Sequence, residues 1–426
     1  MALHCGSERR WSRAVKMIFC LFFLIPMSLA GNRNTNTIFG KKQKLEVKQQ
    51  LKRLNKPALK SIKSPDGDII DCVDIYKQPA FDHPLLKNHT IQMRPSFYPE
   101  GFSFNESNNI SSNSEPKFTQ LWHLNGRCPE GTIPIRRTKE EDLLRAGSPA
   151  NYGRKKHLTV PNPQDDDEES IHEHATYTED GDKYYGMMAE MNVWNPHTQE
   201  RFEFSDSQFW IIAGTNDVDL NSIEAGMEVC ESLYGDKNTR IFTFWTADAY
   251  HNTGCANLLC PGFVQVSHQI AMGATVSPLS TYNGPQYTVN FYVRKLICMM
   301  CTMRKDINGD GNWWLTIADR FDLGYWPSSL FPLLSAGAEA VKWGGEVINL
   351  RKGGQHTTTQ MGSGHFAEEG PNKASFFKNL NVIDGKKLLR APWHTHTFIS
   401  KPNCYNLLDY GDYFYFGGPG RNPNCP

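Results

Sequence analysis

A chain of 426 residues is longer than one ordinary domain, which predicts two folded units behind a leader. Its 45 basic and 45 acidic residues cancel, so no nucleic-acid or strongly anionic partner is expected. Aromatic residues at 12%, with 34 glycines and 25 prolines, favour short strands joined by turns over a helical bundle. At the N-terminus, Arg9, Arg10, Arg13 and Lys16 precede a short apolar core from Met17 to Ile25, and Ser28-Leu29-Ala30 offers small residues for cleavage. That pattern predicts a secretory signal over residues 1–30 and a secreted or extracellular protein, in the cell wall or, second, the vacuole. The core is shorter than the roughly 20 residues a membrane anchor needs, so no membrane contact is expected after signal removal.

Between Lys41 and Leu54, basic residues alternate with Leu45, Val47, Leu51 and Leu54, which predicts an amphipathic helix of a proregion. Gly67 through Ile75 and Thr132 through Ile135 read as short strands. Thr138 through Arg145 reads as a helix start, capped by Thr138 with Glu141 closing a capping box. Acceptor sequons at Asn88, Asn105 and Asn109 predict glycosylation of this region. From Arg154 to Glu173 the composition turns polar, with Lys155, Lys156, Pro161, Pro163 and the run Asp165 to Glu169. Such a segment is a linker, either cut in a precursor or kept as an uncut surface loop.

Beyond it, period-two alternation dominates. Phe202, Phe204, Phe209 and Ile211 fit one strand set, and Ile241 to Trp245 another. Tyr287, Val289, Phe291 and Val293 alternate with polar neighbours, and Trp313 to Ile317 and Tyr413 to Phe416 add more. Many short strands between glycine and proline turns predict an antiparallel sandwich or barrel, with a helix plausible only around Ser328 to Leu334.

Two glutamates stand in apolar, glycine-bearing segments: Glu224 in Asn221 to Gly226, and Glu346 in Val341 to Val347. Isolated buried carboxylates are expensive to ionise, so a pair brought together would split into one ionised and one protonated partner. The ionised one could deprotonate a water, and the other could donate to the developing oxyanion and the leaving amine. Alternatives are weaker on their residues. Asp206-Ser207 with His251 or His268 lacks a nucleophile-elbow signature. His172 with His174, and His394 with His396, read as metal ligands or, better, as exposed loop histidines. Asp306 to Gly311 imitates a calcium loop, but its twelfth position is Ile317, and Cys298 to Cys301 has no second ligand pair for zinc. Neither a metal nor another cofactor is expected. Trp210, Trp245, Tyr250, Trp326 and Trp343 either line a cleft suited to a proline ring or fill the core, and the residues alone leave both open.

The motifs in order are Leu220 to Gly226, Leu233-Tyr234-Gly235-Asp236, Phe244 to Asp248, Gly254 to Gln265, Gly324 to Pro327, Trp343 to Val347, Gln360 to Phe366 and Gly417 to Pro423. This series resembles the plant neprosin family, secreted glutamic peptidases that cut after proline. Asp71 to Ile75 with Cys128 to Arg137 resembles that family's activation peptide. The resemblance implies an all-β, antiparallel β-sandwich catalytic domain preceded by a smaller mixed α/β activation peptide. It divides the chain into a signal at 1–30, an activation peptide and acidic linker at 31–165, and a peptidase domain at 166–426. It places the catalytic role on Glu224 and Glu346, pairs Cys72 with Cys128, Cys255 with Cys260 and Cys404 with Cys425, and leaves Cys230, Cys298 and Cys301 over. Its partners would be proline-containing peptides or proteins met by a monomer. Two departures stand out: Met227, where the family usually has tryptophan, which implies an altered cleft wall, and the apolar segment Leu296 to Met303. A catalytically inactive or carbohydrate-binding extracellular sandwich is the alternative reading.

Overall fold

A computed structural model describes residues 32–95, 118–155, 172–216, 218–295, 311–318, 321–351 and 354–426, with side chains from residue 43 onward. The leader, Asn105, Asn109, the acidic run, Cys298, Cys301, Leu296 to Met303 and the Asp306 loop lie outside the described residues. Contacts divide the chain into Met1–Leu45 and Glu46–Pro426; the first contributes, among the described residues, only the start of helix α1 (Asn32–Leu54).

In the second unit, Val47 and Leu54 are buried with Leu143, Tyr152 and Phe242, and Leu51 packs against them. Their spacing of four and three residues is that of one helix face. Three strands, β1 (Ala58–Lys63), β2 (Ile69–Asp74) and β3 (Thr132–Arg136), form an antiparallel sheet in that order. The disulfide Cys72–Cys128 ties β2 to the loop that leads into β3. Helix α2 (Glu140–Arg145) begins later than expected, with Lys139 at the cap and Asp142, not Glu141, accepting from the Lys139 N–H at 2.9 Å. The reason lies far off in sequence: Asn55 accepts from the Thr138 N–H and donates to the Thr138 carbonyl, at 2.9 and 2.8 Å. Asn88 is exposed.

The rest is a sandwich of two antiparallel sheets. One has six strands: β4 (His172–Tyr184), β6 (Phe204–Ala213), β7 (Asn221–Cys230), β8 (Arg240–Thr246), β12 (Ala338–Ile348) and β14 (Thr395–Ile399). Their order across the sheet is β14-β4-β12-β6-β7-β8. The other sheet has ten strands; its longer members are β5 (Gly186–Asn192), β9 (Thr288–Lys295), β10 (Trp313–Ile317), β11 (Phe321–Trp326), β13 (Ser375–Ile383) and β15 (Phe414–Gly418). Alternation along each strand sends one set of side chains between the sheets. Phe209 of β6 meets Phe291 of β9 there, edge to face, with centroids 5.5 Å apart.

Strand parity corrects several expectations. Trp245, Trp326 and Trp343 point into this interior, where they meet Phe331, Phe263 and Tyr177, so they line no cleft. Met227 is also an interior residue, on the opposite face of β7 from Glu224, so its departure from tryptophan alters the core and not a cleft wall. Phe202 falls outside β6 and is 53% exposed. Ser328 to Leu334 holds two single 3-10 turns, Ser328–Leu330 and Leu334–Ala336, in place of a helix. Cys255–Cys260 and Cys404–Cys425 are bonded, and Cys230 is a buried free thiol.

Candidate active site

The face of the six-stranded sheet turned away from the interior carries the chemistry. On β7 it presents Glu224, Gly226 and Glu228, because Ile223, Ala225 and Met227 take the inner face. Register places Trp210, Gln208 and Asp206 of β6 opposite those three. Lys342, Gly344 and Glu346 of β12 follow in the next strand, and His174 of β4 stands opposite Glu346. The two glutamates therefore sit two strands and two rungs apart, on a diagonal whose middle is Gln208. Gly226 and Gly344 flank that middle. A Cβ on Gly226 would lie 2.1 Å from the Ser207 carbonyl oxygen, and one on Gly344 2.2 Å from that of Ala175. Only glycine lets the strands close up here, and the floor between the carboxylates stays bare.

Glu224 is fully buried. Its Oε1 accepts from Tyr250 OH at 2.5 Å and Ser222 Oγ at 3.1 Å, and its Oε2 meets Lys155 Nζ at 2.6 Å. Tyr250 reaches it from a strained turn in which Ala249 and Tyr250 both hold positive φ, 54° and 63°. Each such residue costs on the order of 1 kcal/mol, and Asp248 holds the turn by accepting from the N–H groups of Asn252 and Thr253. Glu346 is 3% exposed; its Oε1 is 2.6 Å from His172 Nδ1 and its Oε2 accepts from Gln208 Nε2 at 2.9 Å. Lys155 Nζ lies 3.7 Å from that same Oε2, and His174 Nε2 lies 3.9 Å from Oε1.

One ammonium thus touches both carboxylates, wedged over the rings of Phe244 and Tyr250 at 5.3 Å each. Burial alone would raise the Glu346 carboxyl, but the Lys155 charge, then the His172 hydrogen bond and the His174 charge, outweigh it and hold the group below the ordinary carboxylate range. Burial likewise works against the Lys155 cation, yet Glu224 and Glu346 raise it well above its ordinary value. Beside Glu346 lies a second acidic pair, Asp206 and Glu228, directly opposite one another. Burial, then the neighbouring carboxylates, pushes Asp206 well up. Burial also pushes Glu228 up to about 7, against the hydrogen bond it accepts from Tyr234 OH.

Of the residues expected at a cleft, Trp210 and Tyr250 lie on the Glu224 side of the sheet, and Trp210 is 6% exposed with its ring 6.2 Å from His174. His172 and His174 are not loop histidines; they belong to β4 and face Glu346. His394 and His396 are exposed, the latter on the edge strand β14. Ser207 points away from Asp206, as neighbours on a strand must, so the two form no triad. Lys155, Gln208 and Glu228 carry no role in the sequence reading, and Asp206 figures there only in the serine triad set aside. For Gln208, Asp206 and Glu228 the available signal was spacing: Asp206, Gln208 and Trp210 take every second position of one strand, and Glu224 and Glu228 flank Gly226 at the same spacing in the next.

Residues 201–419 match the family model described as Neprosin, and residues 61–178 match the one described as Neprosin activation peptide. Among solved structures, the chain is similar to Scytalido-glutamic peptidase with a peptide-based transition state analog, at 11% identity and a TM-score of 0.32, covering 58% of this chain and 98% of that one. It is also similar to SCP-B, a member of the Eqolisin family of peptidases in complex with the tripeptide Ala-Ile-His, at 11% identity and a TM-score of 0.30, with 58% and 98% covered.

Proposed function

The chain belongs to the neprosin family of peptidases, and from that premise we propose that it is a secreted precursor of a glutamic endopeptidase that cuts after proline at acidic pH. The observation that carries the reading is the place of Lys155 Nζ, 2.6 Å from Glu224 and 3.7 Å from Glu346. An ammonium group is about the size of a water molecule, and its nitrogen marks a point in the gap between the two carboxylates, hydrogen-bonded to Glu224 and just beyond that reach from Glu346. In the precursor that point is occupied. A cut in the polar stretch after Lys155 would separate this lysine from β4, which keeps His172 and His174 beside Glu346.

Partners then assign the roles. Glu346 keeps the two imidazoles and the Gln208 amide, a setting that favours its ionised form, so it is the base. Glu224 is left with hydroxyl partners, Tyr250 and Ser222, both on Oε1; its proton belongs on Oε2, which faces the reacting centre. In the first step water gives a proton to Glu346 and its oxygen bonds to the scissile carbonyl carbon, while the carbonyl oxygen takes the Glu224 proton. In the second, Glu346 returns its proton to the amide nitrogen as the C–N bond breaks. Glu224 then recovers a proton from a diol hydroxyl, leaving a carboxylic acid. Acidic pH suits a pair of carboxyls that must enter the cycle with one proton between them. Trp210, opposite Glu224, offers the ring face on which a proline would pack. The test is acid incubation of the purified protein with proline-containing peptides and identification of products by mass. Cleavage that does not follow proline would remove the specificity, and no cleavage after processing would remove the peptidase.

A further inference from the structure

Gln208 sits at the middle of the catalytic diagonal and is fully buried. Its Nε2 donates to Glu346 Oε2 at 2.9 Å. Its Oε1 is also buried and has no hydrogen-bond partner among the described residues. An unpaired amide oxygen in such a place is costly, and a purely structural role would be served better by a side chain without one. The opposite rotation of the amide would aim Oε1 at an ionised carboxylate, acceptor against acceptor, so the bond to Glu346 decides the orientation. Across the strands Gly226 and Gly344 stand on either side, and neither has a side chain to cover it.

We infer that Gln208 holds the attacking water jointly with Glu346, Oε1 accepting the hydrogen that the base does not take. The inference rests on the glutamic-peptidase reading and adds a third group to it. A water bound through both hydrogens, one to Glu346 Oε2 and one to Gln208 Oε1, has its lone pairs turned out of the sheet toward the scissile carbonyl. Attack then breaks only the O–H bond to Glu346; the hydrogen on Gln208 stays with the oxygen and becomes a hydroxyl of the diol. The same amide therefore serves twice, through Nε2 on the base and through Oε1 on the nucleophile.

Two variants, made in the full-length chain and assayed after processing, test this. Gln208→Met keeps the length and volume and removes both polar atoms. Its kcat should fall about 100- to 1,000-fold, as for loss of one oriented group at a reacting centre, with KM within about twofold. Its melting temperature should change little, because the unpaired oxygen and the Nε2 donor to Glu346 are lost together. Gln208→Glu restores a donor and an acceptor only while its carboxyl is protonated. Its activity should return toward wild type at the acidic end and fall away as pH rises, earlier than wild type does. If Gln208→Met keeps kcat within about threefold, the inference is overturned. It is equally overturned if Gln208→Glu follows the wild-type pH profile, a result that counts even where Gln208→Met does not fold. A wild-type product that cleaves no proline-containing peptide defeats the peptidase reading instead, and Gln208 with it.

Discussion

Replacing Lys155 by Met keeps a long side chain but removes the ammonium, with its contacts to both carboxylates and to the rings of Phe244 and Tyr250. The pair it breaks is well buried: the Lys155 side chain is 19% exposed, Glu224 0% and Glu346 3%. Removing one partner of such a pair costs about 3–5 kcal/mol, and the partial exposure of the lysine argues for about 3 kcal/mol. With about 2 cal/mol/K of unfolding entropy per residue, that lowers the melting temperature of a chain this long by about 4 °C at neutral pH. The effect should also depend on pH in a defined direction. Glu346 is held below its ordinary value of 4.5, so the stability it lends the precursor is present above that value and lost as pH falls toward its depressed one. The penalty of Lys155→Met should therefore be largest above pH 4.5 and shrink below it. Scanning fluorimetry of the uncut chain at pH 7 and pH 3, with intact mass confirming that it is uncut, reads both. Equal losses at the two pH values would refute the electrostatic argument, and no loss at pH 7 would refute the ion pair itself.

Glu224→Gln and Glu346→Gln should each cost at least about 100-fold in peptidase rate, and the double variant little more than the worse single one, measured on proline-containing peptides. Glu368→Gln is the control: Glu368 is exposed, pairs with Asn406 at 2.6 Å, and should leave the rate nearly unchanged. Glu228→Gln should stabilise the protein at pH 8 and hardly at pH 4. Its carboxyl rises to about 7 from 4.5, so stability present below pH 4.5 is lost as pH climbs through 7, by up to about 3 kcal/mol, and thermal scans across that range check it. N-terminal sequencing of the acid-processed form should begin after Lys155 and no later than His172, which releases the lysine and keeps both histidines; a start outside that window would contradict the assigned cut.

The strands were legible because Ile241 to Trp245 is a short, aromatic-rich run and Tyr287 to Val293 alternates in period two, and β8 and β9 form there. The face a given aromatic takes was not. Every residue of β7 and β8 is buried, since the outer face is covered as well as the inner one, so polarity no longer marks which side of the strand is which. Trp210 and Trp245 look alike in sequence and end on opposite sides of the same sheet. His172 and His174 were lost for a different reason. They adjoin a proline- and acid-rich run, and that composition outweighed the two-residue spacing that places both on one face of β4. Lys155 reads as one charge among several in that run; only the long-range approach of two carboxylates distinguishes it. The late start of α2 has the same origin, a contact with Asn55 across 83 positions.

The lysine over the carboxylates is covalently continuous with the strand it obstructs, through the residues between Lys155 and His172. While that tether is whole, its local concentration at the cleft is on the order of millimolar or more, whatever the dilution of the protein. One hydrolysed bond turns the occupant into a separate solute, and rebinding becomes second order. The same contact that closes the cleft firmly in concentrated solution is then weakened by simple dilution. Release would thus be governed by volume as much as by chemistry, and mixing the cleaved halves at rising concentration should close the cleft again.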